Sequence, residues 1–319
     1  MKITRQALKI ILFVYILIRF RSVKLAYTLS FYNISLSNLS LISKEGNFVK
    51  FLNTKNKVAI KLLSNFNFSI NQLFSILDSN LVIVNESHEN YFLVTINGIQ
   101  LKVASLSNMA VVYEVFIQRI YEIFLTTDKF IVIDIGMNVG VASLYFANFN
   151  SVECVYGYEP FPDTFKETLF NISLNPKLSE KIKPFNQGVS DISCVRNISL
   201  FDSGLLSAST VETIGEYGKV PNKKIEVQLV SIIDLLNNIT SIHANNRILL
   251  KIDCEGEEYA IFDSIKNTKY LDQVDCILLE WHEKGFEQLS SILQVNGFQY
   301  FHVPNEKLNS GMLYAFRKN

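Results

Sequence analysis

From residue 130 to its end, the chain alternates continuous apolar segments with amphipathic segments, and this alternation limits the possible folds more than any other feature. The apolar segments have the length of buried strands and lie at 130–135, 152–158, 247–252 and 274–281, and a further strand is predicted at 182–188. The amphipathic segments have apolar residues at helical spacing and lie at 139–149, 163–175, 231–237, 257–265 and 286–296. Apolar strands separated by helices are typical of a parallel sheet covered on both faces. We therefore predict a doubly wound α/β fold that closes with strands at 298–303 and 312–316, the last of them antiparallel.

Residues 1–110 show no such alternation and contain no recognisable chemical motif. Apolar runs at 91–96 and 99–103 flank Asn97-Gly98, a dipeptide that favours a type I′ turn and predicts a β-hairpin. Residues 111–124 then have apolar residues at helical spacing. We predict an accessory region over residues 1–110 and a second domain over residues 111–319.

An uninterrupted apolar run at residues 10–18 has basic residues on both sides. The run is shorter than the roughly 20 residues that a membrane-spanning helix needs. Arg19 and Arg21 follow it directly, where a signal peptide would need small residues for cleavage. We expect a helix packed on the protein's own core; the alternative is a basic amphipathic helix that lies on a membrane surface.

The overall charge and the cysteine content argue against several classes of protein. The chain of 319 residues has 30 basic and 30 acidic side chains, so its balance gives no reason to expect nucleic acid as a partner. Its four cysteines include no C-x-x-C pair and have no histidine close in sequence, which argues against a zinc site. We expect reduced cysteines and a cytoplasmic protein, with peripheral membrane contact through residues 10–18 as the open alternative.

A glycine-containing segment, residues 134–140, follows the first strand of the predicted sheet. Gly136 permits a tight turn, and Gly140 allows the next helix to start close to the strand. Ligands of doubly wound sheets bind at the carboxyl ends of the strands, where the winding reverses. Glu159 closes the second strand, nineteen residues after Gly140, where a carboxylate can accept hydrogen bonds from both ribose hydroxyls of an adenosine. The pattern predicts a site for an adenosine-containing cofactor.

Asp134 discriminates between the cofactors that such a site can take. A dinucleotide-binding fingerprint has its first glycine at this position, and a carboxylate there would repel a pyrophosphate. S-adenosylmethionine has no phosphate and offers an ammonium group to a carboxylate. The pattern therefore favours S-adenosylmethionine, and it disfavours a nicotinamide-dependent oxidoreductase. A binding protein that keeps the fold without turnover is the other alternative.

Several segments resemble the motifs of the FkbM family of class I methyltransferases. Residues 132–140 and 156–160 are similar to the first two motifs, and Asn171 and Asn175 to an asparagine pair that follows them. Residues 250–258 resemble the family's distinctive K-x-D-x-E-G-x-E signature, and residues 278–282 and 296–298 resemble its last two motifs.

The resemblance covers roughly residues 110–317 and leaves residues 1–90 without a counterpart. It departs from the family at Met137, where alanine or another small residue is usual. It implies a seven-stranded, mostly parallel Rossmann-like sheet, S-adenosylmethionine as methyl donor and, usually, O-methylation of a sugar or natural-product hydroxyl. The expected acceptor is thus a glycan, glycolipid or related metabolite. The residues predicted to bind the cofactor are Asp134, Gly136, Asn138, Gly140, Glu159, Pro160 and Asp253.

Methyl transfer from a sulfonium needs an acceptor hydroxyl near the methyl carbon and a group that receives the hydroxyl proton. Suitable side chains follow two predicted strands whose carboxyl ends meet at one crevice. The candidates for catalysis are Asp253, Glu258, Glu280 and His282. We predict His282 as the general base, on the assumption of an ordinary pKa of about 6.5, with Asp253 and Glu280 orienting the acceptor.

Other interpretations of this cluster stay open. Glu255 and Glu258 lie three residues apart at a predicted helix start, where carboxylates also act as simple caps. The acidic cluster can instead hold Mg²⁺, which prefers carboxylate and water ligands. Lys251 points away from the face of Ile252 and is interpreted as a structural partner for a carboxylate.

Overall fold

The structure is a computed structural model of the chain. It describes residues 5–21, 23, 26–27, 30, 42–45, 48–52, 59–63, 82–87, 91–123, 129–200, 223–305 and 309–318. The chain divides into two compact units, Met1–Arg119 and Ile120–Asn319. The boundary between residues 110 and 111 stays a prediction.

The first unit begins with helix α1 (Arg5–Phe20) and contains two small antiparallel sheets. The first of these sheets consists of β1 (Ile42–Glu45), β2 (Phe48–Leu52) and β3 (Ala59–Leu63). The second consists of β4 (Val82–Ser87), β5 (Phe92–Ile96) and β6 (Ile99–Val103). Within the described residues, no helix combines the length and the hydrophobicity needed to cross a bilayer.

The predicted hairpin at 91–103 is confirmed by β5 and β6, which are joined at Asn97 and Gly98 with φ angles of 51° and 81°. Two positive φ angles in succession are what a type I′ turn requires. The helix predicted over 111–124 is wrong at both ends.

Helix α2 (Leu106–Val112) starts earlier than predicted, because the Ser105 side chain accepts a hydrogen bond from the backbone N–H of Asn108 at 3.1 Å. It continues as a π-helical turn, Tyr113–Gln118, and ends at Arg119, whose φ of 58° is left-handed. Residue 124, the last of the predicted helix, lies outside the described residues.

The second unit contains the alternating strands and helices. Its first half consists of β7 (Phe130–Ile135), α3 (Val141–Ala147), β8 (Val152–Tyr158), α4 (Pro162–Ser173), α5 (Pro176–Ser179), β9 (Ile182–Phe185), β10 (Gly188–Ser190) and β11 (Cys194–Leu200). Its second half consists of β12 (Lys223–Ser231), α6 (Ile232–Ile242), β13 (Arg247–Ile252), α7 (Glu258–Ile265), a 3₁₀ turn (Tyr270–Gln273), β14 (Val274–His282), α8 (Glu287–Val295), β15 (Phe298–Asn305) and β16 (Ser310–Arg317).

Seven of these strands form one sheet in the order β15-β16-β14-β13-β7-β8-β9. Strands β9, β8, β7, β13 and β14 are mutually parallel, and β16 is antiparallel to both of its neighbours. The doubly wound, seven-stranded fold is therefore confirmed. Because the chain runs from β7 to β8 on one side and from β13 to β14 on the other, the winding reverses between β7 and β13.

The strand predicted at 182–188 is in fact two strands. β9 ends at Phe185 on the main sheet, and β10 starts at Gly188 in a separate sheet of order β10-β12-β11. Asn186 and Gln187 separate the two strands, and Gly188 packs closely in the second sheet, where a Cβ would lie 2.6 Å from Leu229 and 3.2 Å from Pro160. The Ser-rich section at 193–227 forms parts of β11 and β12, and residues 201–222 lie outside the described residues.

Candidate active site

Two segments meet where the winding reverses, at the carboxyl ends of β7 and β13. Residues 136–140, after β7, are called the glycine loop, and residues 253–258, after β13, the acidic turn. Strands β7 and β13 are paired through Ile135 and Ile252, and the backbone N–H of Asp253 donates to the carbonyl of Ile135 at 3.0 Å. The pairing continues past the strands and fixes the two segments side by side.

Gly136 is the point of closest approach between the two segments. Its φ is 78°, and a Cβ built on it would lie 1.7 Å from the backbone oxygen of Asp253. Any side chain here would therefore both strain the backbone and push the acidic turn away. The sequence-based reason for this glycine, a tight turn with close backbone approach, describes its surroundings correctly.

Helix α4 holds the far end of the glycine loop. The Asn171 side chain donates a hydrogen bond to the Val139 carbonyl at 2.8 Å, and the Thr168 hydroxyl donates to the Asn138 carbonyl. A Cβ on Gly140, whose φ is 82°, would lie 2.9 Å from the Thr168 methyl group. Asn175 in turn donates to the Asn171 carbonyl at 2.8 Å. The asparagine pair thus secures the shape of the loop.

Met137 departs from the family pattern, and the structure explains how it fits. Its side chain is buried, and its sulfur lies 2.1 Å from where a Cβ on Gly157 of β8 would be. Because Gly157 has no side chain, the thioether occupies space beneath the loop and leaves the backbone of residues 136–140 in its ordinary path.

Asp134 lies beneath the glycine loop with no exposed surface. One carboxylate oxygen is 3.0 Å from the Lys251 ammonium, and the other accepts a hydrogen bond from Ser143 at 2.6 Å. In this conformation the Asp134 carboxylate is paired with Lys251, and its predicted contact with the cofactor stays a prediction.

Lys251 is confirmed as the structural partner of a carboxylate. Besides its ion pair with Asp134, its ammonium donates to the Gly136 carbonyl at 2.6 Å. Burial lowers the pKa of Lys251, but the charges of Asp134 and Asp253 outweigh burial and raise the pKa overall. The lysine thus remains charged and holds the strand end and the glycine loop together.

Glu159 lies at the end of β8 and is also buried. Its carboxylate accepts the backbone N–H groups of Asn138 at 3.0 Å and Phe161 at 2.9 Å. Burial raises the pKa of Glu159 to about 7, against the opposing effect of these two hydrogen bonds. Each carboxylate oxygen keeps a second lone pair, with which it could accept a hydrogen bond from a ribose hydroxyl. The contact with ribose stays a prediction.

Asn138 and Pro160 adjoin this carboxylate. Asn138 has a φ of 52°, a left-handed conformation that asparagine tolerates better than most residues. Asn186 donates to the carbonyls of Glu159 and Pro160 at 2.9 and 3.2 Å. Both residues shape the loop through their backbones, and their contacts with a cofactor stay predictions.

Glu258 begins helix α7 and has no exposed surface. Its carboxylate accepts the backbone N–H groups of Gly256 and His282, both at 2.8 Å, and lies 3.2 Å from Nδ1 of His282. Glu258 lies behind His282 in this structure, and its predicted part in catalysis stays a prediction. It is a positioning residue that joins the acidic turn to the end of β14.

His282 is surrounded by carboxylates. Its Nε2 lies 3.7 Å from Glu255, 3.9 Å from Glu280 and 4.0 Å from Asp253, while its Nδ1 faces Glu258. Burial lowers the pKa of His282, but the hydrogen bond with Glu258 and the carboxylate charges outweigh burial and raise it to about 10. The pKa of His282 thus lies above the ordinary value of about 6.5 assumed from the sequence, and the surrounding carboxylates favour the protonated imidazole.

The three carboxylates that face Nε2 are partly accessible. The side chains of Asp253, Glu255 and Glu280 are 30, 32 and 27% exposed, in contrast to buried Glu258. Burial and the charge of Asp253 raise the pKa of Glu255 to about 7. Glu255 also has a φ of 53°, which is unfavourable for a glutamate and typical of functional sites. These features single out Glu255 within the acidic cluster. From the sequence it was a member of that cluster and a possible helix cap, but not a candidate for catalysis.

The same cluster has the composition of a divalent-cation site. Asp253, Glu255 and His282 each offer one ligand atom, and these atoms lie within 4.8 Å of one another. A metal would need the imidazole in its neutral form, so it would compete with the proton that the carboxylates stabilise. Mg²⁺ therefore stays an alternative use of this cluster.

Glu257 is a buried residue of the acidic turn that no sequence pattern singles out. It accepts a hydrogen bond from Ser190 at 2.6 Å and forms an ion pair with Arg196. These contacts connect the turn to β10 and β11 of the small sheet. Arg196 precedes Glu257 by 61 residues, so no local sequence pattern indicates the pair.

Comparison with known proteins places this geometry in a family. Residues 134–300 match the Methyltransferase FkbM domain, which spans both the glycine loop and the acidic turn. The chain belongs to the FkbM methyltransferase family. The resemblance drawn from the motifs is thus confirmed, and it places the chain among methyltransferases.

The individual proteins that resemble this chain are distant in sequence. Methyltransferase 1 of Beauveria bassiana (strain ARSEF 2860) is 24% identical over 198 residues, which cover 58% of this chain and 78% of that protein. The crystal structure of methyltransferase FkbM from Methylobacillus flagellatus KT has a TM-score of 0.41 and 15% identity, over 64% of this chain. The chain spans about half, 48%, of that protein's length. M. jannaschii TYW2 in complex with AdoMet has a TM-score of 0.35 and 12% identity, over 74% of this chain and 89% of its own.

Proposed function

We propose that this FkbM methyltransferase transfers a methyl group from S-adenosylmethionine to a hydroxyl of a glycan, glycolipid or related metabolite. The observation that carries the proposal is the group of partly exposed carboxylates, Asp253, Glu255 and Glu280, beside the glycine loop. An alcohol must lose its proton when its oxygen is methylated, and these groups offer places for that proton.

The donor, when bound, supplies a methyl carbon attached to a sulfonium sulfur. Glu159 and the backbone of the glycine loop would hold it, and the acidic turn would orient the acceptor hydroxyl. The donor would supply this methyl group to the hydroxyl oxygen with cleavage of its carbon–sulfur bond, and a carboxylate would receive the hydroxyl proton. Glu255 is the best receiver of that proton, because its pKa of about 7 matches the working pH.

In this account His282 acts as a fixed positive charge. With a pKa raised to about 10, it balances the carboxylates and keeps Asp253, Glu255 and Glu280 close to one another. The proposed general base therefore moves from His282 to Glu255. His282 and Glu258 become positioning residues for the acidic turn.

Calorimetric titration separates this proposal from the alternatives drawn from the sequence. We expect binding of S-adenosylmethionine and no binding of NADH. Binding of the methyl donor without transfer to any acceptor would favour a non-catalytic binding protein. Binding of NADH alone would favour an oxidoreductase and would contradict the proposal.

The acceptor class can be identified with donor labelled in the methyl group, using glycans, lipid extracts, peptides and RNA in parallel. We expect label on a glycan or lipid fraction, in a methyl ether that survives mild alkali. Release of labelled methanol by mild alkali would instead indicate a methyl ester. Label in RNA, or on nitrogen, would also contradict O-methylation of a metabolite. Turnover lost in EDTA and restored by Mg²⁺ would assign a metal to Asp253, Glu255 and His282.

A further inference from the structure

The amino-terminal helix α1 has two apolar faces, and only one of them is covered. Leu12 and Ile16 are buried, as expected for a packed helix. On the other side, five large apolar side chains are 47–73% exposed: Ile10, Ile11, Val14, Tyr15 and Ile18. At about 100° per residue, these five fall within about 140° of the circumference. They are called the exposed arc of α1.

The sequence around the exposed arc has charge of one sign. The first 44 residues contain seven lysines and arginines and no acidic residue, although the whole chain is neutral. Arg5 and Arg19 lie within α1 itself, and Arg21 directly follows it. An apolar surface with basic residues at both ends is complementary to the anionic headgroups and acyl chains of a lipid surface.

We propose that α1 docks the protein on an anionic membrane surface, with the exposed arc inserted among the lipids. The 16 residues of α1 extend about 24 Å, less than the roughly 30 Å hydrocarbon thickness of a bilayer. The helix therefore lies in the plane of the interface, and Leu12 and Ile16 stay packed in the protein. Both readings of residues 10–18 then apply, each to a different face of the helix.

The exposed arc of α1 could instead pack against α1 of a second copy of the chain. Pairing two copies through the exposed arc would bring two strongly basic segments together without any acidic partner in residues 1–44. Like charges at close range oppose such a pair, whereas an anionic lipid surface attracts it. The charge pattern therefore favours lipid.

The test is sedimentation of the full-length protein with vesicles of phosphatidylcholine, with or without phosphatidylglycerol. We expect binding to the anionic vesicles and release when the salt concentration is raised, because salt screens the basic residues. Equal binding to neutral vesicles, or no binding to either, would overturn the proposal. This part of the test needs no variant.

A matched pair of triple variants tests the exposed arc itself. Changing Ile11, Val14 and Ile18 to serine should weaken vesicle binding on the order of 100-fold. The control changes Ile192, Ile242 and Val295 to serine, which are equally apolar and 57–86% exposed in the second unit, and it should bind as the parent does. Both variants should keep the parental affinity for S-adenosylmethionine. Unchanged vesicle binding by the α1 variant, or its loss of a dimer that the parent forms without lipid, would contradict the proposal.

Discussion

The glycine loop and the acidic turn lie at the ends of neighbouring parallel strands, and they differ in how they use charge. At the glycine loop, Asp134, Glu159 and Lys251 are buried, and each has its polar partners within the protein. At the acidic turn, four carboxylates surround one imidazole, and three of them are partly open to solvent. The buried groups at the glycine loop hold the backbone in one shape. The partly exposed carboxylates at the acidic turn have an excess of negative charge and can interact with a bound substrate.

Backbone strain follows the same division. Asn138 in the glycine loop and Glu255 in the acidic turn have nearly equal φ angles, 52° and 53°. Asparagine is one of the residues that adopt this conformation readily, and glutamate is not. The left-handed conformation of Glu255 is therefore not explained by local propensity. In this conformation its carboxylate lies 3.7 Å from Nε2 of His282, and we interpret that contact as the reason for the strain.

The largest expected effect comes from breaking the buried pair under the glycine loop. Lys251→Met leaves the Asp134 carboxylate buried without its cation, which should cost about 3–5 kcal/mol in the free energy of unfolding. The control Lys166→Met removes an exposed lysine of α4 and should cost less than about 0.5 kcal/mol. Urea denaturation measures both. A small loss for Lys251→Met would mean that the pair does not support the loop.

A comparison of two glycines separates the cost of backbone strain from the cost of steric overlap with the neighbouring segment. Gly136→Ala and Gly98→Ala both place alanine at a φ near 80°, with a similar cost of about 1–2 kcal/mol. Only Gly136 has a backbone oxygen in the way, so it should lose about 1–3 kcal/mol more. Thermal unfolding, together with calorimetry using S-adenosylmethionine, checks the difference. Equal losses would argue against tight contact between the two segments.

The cofactor contact of the glycine loop is tested by Glu159→Ala. Loss of charge-assisted hydrogen bonds to ribose should weaken binding of S-adenosylmethionine at least about tenfold. Because Glu159 also accepts two backbone N–H groups, the variant should be less stable as well. Glu153→Ala, which removes an exposed carboxylate from the same strand, is the control. Parental affinity in Glu159→Ala would refute the assignment.

The smallest effect concerns strain at the acidic turn. Glu255→Gly should raise stability by about 1 kcal/mol while turnover falls, whereas Asn138→Gly should change stability by a few tenths. The pKa of Glu255 is raised from its ordinary 4.5 to about 7, so its ionisation destabilises the fold as pH rises through that interval. The gain should therefore be larger at pH 8 than at pH 4. A loss of stability at both pH values would show that Glu255 is a structural residue.

Strand positions in the second unit could be predicted to the residue where the apolar run is continuous. Phe130–Ile135, Val152–Tyr158 and Arg247–Ile252 have the predicted bounds, because their mostly buried apolar residues contrast with the polar residues and glycine that flank them. The prediction of one strand at 182–188 is wrong because it extends through Asn186 and Gln187, two polar residues that separate the strands.

The sequence also predicted which residues lie close together at the site. It did not predict how buried their side chains are or how their pKa values are shifted. The spacing brings Asp253, Glu280 and His282 to adjacent strand ends, as expected. Burial of Asp134 and Glu258 and the high pKa of His282 depend on side-chain orientation and on how many carboxylates share one imidazole. Those quantities arise from tertiary packing, which a single sequence does not specify.

The division of work between the two segments is tested most directly by the pH dependence of turnover at saturating donor. In the parent, turnover should rise through pH 7 as Glu255 loses its proton, and it should fall near pH 10 as His282 loses its own. Glu255→Gln should lower turnover by about 10²–10⁴-fold and abolish the rise, while the affinity for S-adenosylmethionine stays parental. Asp263→Asn, an exposed change on α7, should keep the parental profile. If Glu255→Gln retains parental turnover and the rise through pH 7, the acidic turn does not receive the proton and the account is contradicted.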